Sequence, residues 1–311
     1  MKFFLFFFSV IFLFSRSSFA TETGCSKNYS YLVFAEKSGE ILSEIRSDEI
    51  YYPASLVKLM TLYLTFEALE KHQLTLGKIL TISARGEEIS KINKVNTMNL
   101  REGDRILLGE AIYGVVVKSF NEAAVTLAEA VAGNEWEFVR RMNEKAQTLG
   151  MINSSFHNAS GLHEEGQYTT SYDLARLVKA IKKDFPQFYH LFAMREFIYR
   201  GKKYQTHNHV LVDYKGAEGM KTGFTNASGF NLITSAKKKN ARIVSVLLGC
   251  ASYQRRDQFT KELLNDAFRK VAASKKSGAE VKLQKGFDYA AKEIKDDYEE
   301  EMHFGMRMDG E

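Results

Sequence analysis

Hydrophobic and polar positions follow three different rhythms along this chain. The first is a nearly unbroken block: apolar residues from Phe3 to Phe14, interrupted by Ser9, follow Met1-Lys2 and give way to Ser15-Arg-Ser-Ser-Phe-Ala20. A short basic start, an apolar run too short to span a bilayer and small residues at Ser18 and Ala20 predict a secretory signal peptide over residues 1–20. Cys25 follows Glu22-Thr-Gly rather than an apolar-small run, which argues against a lipoprotein signal.

The second rhythm is helical. Leu56, Leu59, Met60, Leu62, Leu64, Phe66 and Leu69 are dense enough for a helix buried on most of its circumference, and Pro53 suits the turn that enters it. Leu108–Val117, Glu122–Ala132, Trp136–Leu149 and Tyr172–Lys182 repeat apolar residues at helical spacing, with breaks at Lys118–Asn121, Gly133-Asn134 and Gly150. A last helix, roughly Arg256–Ala272, carries Phe259, Leu263, Leu264 and Phe268 on one face.

The third rhythm is that of strands. Tyr29–Phe34 and Ile41–Arg46 form a hairpin through Lys37-Ser-Gly39, and strands return at Phe197–Arg200, Gly219–Thr225, Gly229–Ala236 and Arg242–Gly249. Strands at both ends with helices between them predict an α/β (α+β) domain: an antiparallel sheet covered by helices, with a helical subdomain inserted. This domain covers residues 21–272. The charged C-terminal tail, 273–311, ends in Asp296-Asp-Tyr-Glu-Glu-Glu301, lacks the strands of a second β domain, and is expected to be partly helical or disordered.

Composition adds limits. The 311 residues are 45% hydrophobic and 26% charged, which suits a globular protein with ample core. Net charge is +5, falling to +3 without the signal peptide because Lys2 and Arg16 leave and no acid does. No basic block suggests nucleic acid, and no apolar C-terminal helix face suggests a stable membrane anchor. Cys25 and Cys250 lie in a chain bound for an oxidising compartment, so a disulfide is permitted, and antiparallel pairing of the first and last strands would make them neighbours. The four Asn-x-Ser sequons at Asn28, Asn153, Asn158 and Asn226 are read as chance.

Three polar clusters interrupt apolar surroundings. Ser55 and Lys58 share the face of a first helical turn, where the positive helix end disfavours an ammonium and makes the lysine a better base for a serine nucleophile. Lys118-Ser119-Phe-Asn121 falls at a helix junction, where a plain N-cap is the structural alternative. Met220-Lys221-Thr222-Gly223-Phe224-Thr225 enters a strand, and Gly223 lets another backbone or a ligand approach it. A Ser-x-x-Lys arises by chance about once in a chain of this length. Ser-x-x-Lys, Ser-x-Asn and Lys-Thr-Gly in this order are far less likely to coincide. His207-Asn-His209 places two imidazoles on one face of a strand, a metal pair without a third ligand. Glu262-Leu-Leu-Asn265 mimics a deacylation motif but sits on the last helix, and no Gly-x-Ser-x-Gly elbow occurs.

The three motifs, with Ser160-Gly-Leu162, Gly166-Gln-Tyr168-Thr169-Thr170 and Ser228-Gly-Phe-Asn-Leu232, make residues 26 to 272 resemble the low-molecular-weight penicillin-binding proteins, serine-type D-alanyl-D-alanine carboxypeptidases. The resemblance implies a β-lactamase/transpeptidase-like fold with a five-stranded sheet and no cofactor or metal. It implies Ser55 as nucleophile, Lys58 as its base, Ser119 as proton relay and Asn121 as a donor to a substrate amide. Lys221 would help keep Lys58 neutral, Thr222 and Arg256 would bind a terminal carboxylate, and the backbone N–H groups of Ser55 and Phe224 would form an oxyanion hole beside Gly223. The partners implied are peptidoglycan stem peptides ending in D-Ala-D-Ala and β-lactam antibiotics, with a DD-endopeptidase or a non-turnover penicillin sensor as alternatives. A soluble periplasmic enzyme is expected. Phe120 stands where many relatives have glycine and is expected to narrow the pocket; Ser160 is assigned no catalytic part.

Overall fold

The computed structural model describes residue 25, residues 28–92 and residues 96–277. The signal peptide and most of the charged tail lie outside them.

Five strands form one antiparallel sheet: β1 (Ser30–Ala35), β2 (Ile41–Ile45), β7 (Ala217–Thr225), β8 (Gly229–Lys238) and β9 (Ala241–Cys250), ordered β2-β1-β9-β8-β7. Alternation along the strands gives this sheet two apolar faces. Leu32 and Phe34 of β1, with Val244, Val246 and Leu248 of β9, enter the larger core, while Val33, Ile243 and Leu247 enter the smaller. The smaller core is closed by α8 (Tyr253–Ser277) through Phe259, Leu263, Leu264 and Ala267. This helix continues past Ala272, the end expected from its apolar periodicity.

The larger core gathers α1 (Lys58–Glu70), α3 (Leu108–Lys118), α4 (Asn121–Ala132), α5 (Glu135–Thr148) and α6 (Ser171–Asp184). Each of the inserted helices lies where its apolar period places it. Between α1 and α3 come the strand β3 (Ile79–Thr81), the short helix α2 (Ala84–Ile92) and β4 (Arg105–Leu107). The hairpin β5 (Glu196–Tyr199) and β6 (Lys202–Gln205) follows α6, and α7 (His209–Asp213) leads into β7. A turn of 3-10 helix, Ala54–Val57, precedes α1, so Ser55 sits on that turn and Lys58 opens the α-helix proper.

Because Ser30 pairs with Leu248, the chain before β1 meets the end of β9. Cys25 and Cys250 are disulfide-bonded there, with Cα atoms 4.1 Å apart.

Candidate active site

Ser55 and Lys58 are held by contacts from three separate parts of the chain. Asn231 on β8 donates its amide to the carbonyls of Tyr52 (3.1 Å) and Pro53 (3.2 Å), clamping the entry turn to the sheet. Gly223 on β7 has no side chain because a Cβ there would lie 3.0 Å from Pro53 O and 3.3 Å from Ser55 N. The close neighbour of this glycine is therefore the turn bearing Ser55. On the far side, Gly161 (φ +77°) packs so tightly that a Cβ would fall 2.0 Å from Ala54 O. Asn158 shapes that loop by accepting from Gly161 N at 2.6 Å and donating to Leu162 O at 3.0 Å.

Lys58 is fully buried. Its Nζ lies 2.9 Å from Ser55 Oγ and 2.8 Å from Asn121 Oδ1, and it also reaches the carbonyl oxygen of Ser160. Two of these partners, an amide oxygen and a peptide carbonyl, only accept. A neutral amine has two N–H bonds and one lone pair. Giving both N–H bonds to Asn121 and Ser160 leaves the lone pair for the Ser55 hydroxyl. Burial holds the Lys58 ammonium well below its ordinary range, and the charge of Lys221 lowers it further, against an opposing pull from Glu122. Desolvation is thus the largest cause, ahead of the neighbouring cation and not identified from the helix-end argument.

Ser119 ends α3 in the left-handed region (φ +62°). That conformation costs a non-glycine residue roughly 1–2 kcal/mol. It lets the chain reverse so that Ser119 faces the cleft while the next residue points into the core. Ser119 Oγ lies 2.8 Å from Lys221 Nζ, which also donates to Thr222 O at 2.9 Å. Neither Ser119 nor Asn121 caps α4 through its side chain, so the plain capping alternative does not hold. Burial, then the charge of Arg256, brings Lys221 down to about 7.

The expected narrowing by Phe120 does not occur. Its ring is buried, meeting Tyr204 edge-on at 5.2 Å and Phe197 at 6.3 Å, and the cleft is lined instead by its neighbours Lys118 and Ser119. The histidine pair is likewise corrected, because residues 206–208 form no strand and His209 opens α7. His207 Nε2 lies 2.7 Å from Thr222 Oγ1, and burial together with Lys221, Lys118 and Arg256 holds this imidazole neutral, down to about 3. His209 Nδ1 lies 3.1 Å from Asp257 Oδ2. Among the described residues no cluster of three metal-binding side chains occurs.

Arg256, in the first turn of α8, is buried and paired with Asp257 at 2.7 Å. Ser55, Lys118, Ser119, Thr222, Gly223 and Arg256 line one cleft of about 460 Å³, with Phe224 half-exposed at its edge. A larger hollow near Glu44, Asp173 and Arg176 contains none of these residues. Three contributors were not assigned from sequence: the Ser160 carbonyl on Lys58, His207 behind Thr222, and Asp257 behind Arg256. The quoted Ser160-Gly pair was the available signal for the first. The other two depend on loop and helix geometry that local periodicity does not carry.

The fold is that of penicillin-binding proteins and DD-transpeptidases, with the β-lactamase-like sheet and helices. Residues 19–252 match the family described as D-alanyl-D-alanine carboxypeptidase, and the chain belongs to it. It is 35% identical over 240 residues to D-alanyl-D-alanine carboxypeptidase DacD of Escherichia coli K12, covering 76% of this chain and 61% of that protein. It thus spans about three-fifths of that relative's length. It is 31% identical over 243 residues to a D-alanyl-D-alanine endopeptidase of Haemophilus influenzae, covering 76% and 80%. The crystal structure of penicillin binding protein 6B from Escherichia coli superposes with a TM-score of 0.71 at 34% identity, covering 76% of each chain.

Proposed function

We propose that this protein is an exported D-alanyl-D-alanine carboxypeptidase working through a Ser55 acyl-enzyme, with residues 21–272 as the catalytic unit. The observation that carries this reading is the geometry at Lys58, whose two fixed acceptors reserve its lone pair for the Ser55 hydroxyl. Ser55 Oγ attacks the carbonyl of the penultimate D-alanine as Lys58 takes its proton. The negative charge developing on the carbonyl oxygen is met by the backbone N–H groups of Ser55 and Phe224. The proton taken by Lys58 is passed through the Ser119 hydroxyl to the nitrogen of the departing D-alanine as the C–N bond breaks, which leaves Lys58 neutral again. Water then attacks the ester carbonyl while Lys58 takes its proton, and that proton goes to Ser55 Oγ as the ester C–O bond breaks, regenerating Ser55. Asn121 orients a substrate amide and holds Lys58.

The terminal carboxylate of the substrate finds a cationic end to the cleft at Lys221, Thr222 and Arg256. Asp257 partly offsets the Arg256 charge. A β-lactam offers the same amide but keeps its leaving nitrogen tethered, so the ester persists. Substrates are stem peptides of peptidoglycan, reached after cleavage of the segment 1–20. Among the described residues no helix is long and apolar enough to cross a membrane.

A second reading, DD-endopeptidase, is favoured by the relative of that name, most of whose length this chain matches. The test labels wild type and Ser55→Ala with a fluorescent penicillin, then measures D-alanine release from a pentapeptide and cleavage of a cross-linked dimer. Labelling lost in Ser55→Ala, with faster turnover of the pentapeptide, supports the first reading. Faster cleavage of the dimer supports the second, and labelling that persists in the variant overturns both.

A further inference from the structure

The strands beneath the Ser55 turn are out of simple register. Phe230 pairs with Cys250 and Leu232 with Leu247, so Asn231 alone on β8 faces both Leu248 and Gly249 on β9. Such a bulge re-aims the side chain beside it. Gly249 takes the bend at φ +82°, and its N–H donates to Asn231 Oδ1 at 2.8 Å. That contact decides which way round the Asn231 amide sits. With the oxygen turned to Gly249, the two N–H bonds of the same amide face the carbonyls of Tyr52 and Pro53. Asn231 is fully buried, so losing one of these partners leaves a polar group unsatisfied.

The bulge is itself fastened from outside the sheet. A Cβ on Gly249 would lie 3.0 Å from Asn28 O and 3.3 Å from Tyr51 Cε1, so the segment entering β1 packs directly on it. The next residue, Cys250, is bonded to Cys25 at the other end of that segment. We infer that Asn231 is a positioning residue for the Ser55 nucleophile, and that the Cys25–Cys250 disulfide keeps it in place by holding the Gly249 bulge. The inference rests on the proposed reaction at Ser55 and adds what fixes its nucleophile. Each link is a contact already given: the disulfide sets Gly249, Gly249 orients the Asn231 amide, and the amide holds Tyr52 and Pro53 just before Ser55. Attack by Ser55 Oγ needs Lys58 and the acceptor carbonyl in one fixed geometry, so a loosened turn costs rate more than affinity. Without the disulfide, Gly249 is held by packing alone and its N–H moves off Asn231 Oδ1.

The test follows acylation of the mature protein by a chromogenic cephalosporin up to saturation, which separates the limiting acylation rate from the affinity of the preceding complex. Wild type, Asn231→Ala, Cys25→Ala/Cys250→Ala and the triple variant are compared at a temperature where circular dichroism shows each folded. Asn231→Ala should lower the limiting rate about 10- to 100-fold with affinity unchanged. Removing the disulfide should lower that rate about threefold or more when Asn231 is present, and no further when it is alanine. The melting temperature should fall on disulfide removal in both backgrounds. Asn231→Ser, whose hydroxyl can still donate to one carbonyl, and wild type reduced with dithiothreitol replace any alanine variant that does not fold. An unchanged rate in the Asn231 variant, or a disulfide effect that is absent or equal in both backgrounds, would overturn the inference while leaving wild-type acylation intact. A wild type that the cephalosporin does not acylate would instead overturn the reaction and the inference with it.

Discussion

Asn121 Oδ1 lies 2.8 Å from Lys58 Nζ, so the residue expected to hold substrate also fixes the proposed base. The contact has a direct chemical test. In Asn121→Asp, a carboxylate replaces the amide oxygen and favours the ammonium, raising the Lys58 pKa by about 1–3 units. The acidic limb of the acylation profile should move to higher pH by that amount, and acylation at pH 7 should fall to the extent that Lys58 becomes protonated there. Stopped-flow acylation by a chromogenic cephalosporin, measured from pH 5 to 10, checks this. An unshifted limb would remove Asn121 from control of the base.

Lys221 supplies a stability prediction. Its folded-state pKa, about 7, lies below the ordinary 10.5, so between those values the unfolded chain binds more protons than the native one. Stability must therefore rise with pH across this window, by up to about 1.4 kcal/mol per pH unit for one fully differing proton. Lys58, lowered in the same direction, adds to the slope. Urea midpoints at pH 7, 8 and 9 should increase, and the increase should shrink in Lys221→Met. A flat series in the wild type would contradict the buried, weakly protonated lysines.

Gly161 should not accept even one methyl group. Its φ is +77°, and an added Cβ would overlap Ala54 O. Gly161→Ala is expected to lose at least 2 kcal/mol of stability, a magnitude usual for overpacking combined with backbone strain. It should also reduce acylation, because the displaced atoms belong to the Ser55 turn. Wild-type stability and acylation in this variant would show that the loop around Ser160 can withdraw freely.

Ser119 separates conformational cost from chemistry. At its left-handed φ, Ser119→Gly should be more stable than Ser119→Ala by about 1 kcal/mol. Both variants should lose D-alanine release to a similar extent because both lack the hydroxyl. Thermal melts alongside turnover distinguish the effects; activity retained in Ser119→Gly alone would assign the residue a purely conformational role.

Much of the sheet and the inserted helices was legible because alternation and 3.6-residue periodicity are local properties. The short pairs β3–β4 and β5–β6 were only partly so, since strands of three or four residues carry too little pattern. For the candidate site, Ser55, Lys58, Ser119, Asn121, Lys221 and Thr222 could be picked out as motifs before their distances were known. Their environment could not. Phe120 looked like an obstruction because sequence gives its size, whereas the left-handed turn at Ser119 decides where it points. The dominant cause of the depressed Lys58 pKa is burial, which depends on the whole packed core rather than on a neighbour in sequence.

The central claim is that Lys58 is a neutral amine poised on Ser55, and lysine ¹³Cε NMR reads its protonation directly. In protein labelled at lysine, the resonance missing from Lys58→Met but present in Lys221→Met is expected to titrate well below the ordinary 10.5. A Lys58 resonance that stays fully charged up to pH 10 would contradict the account.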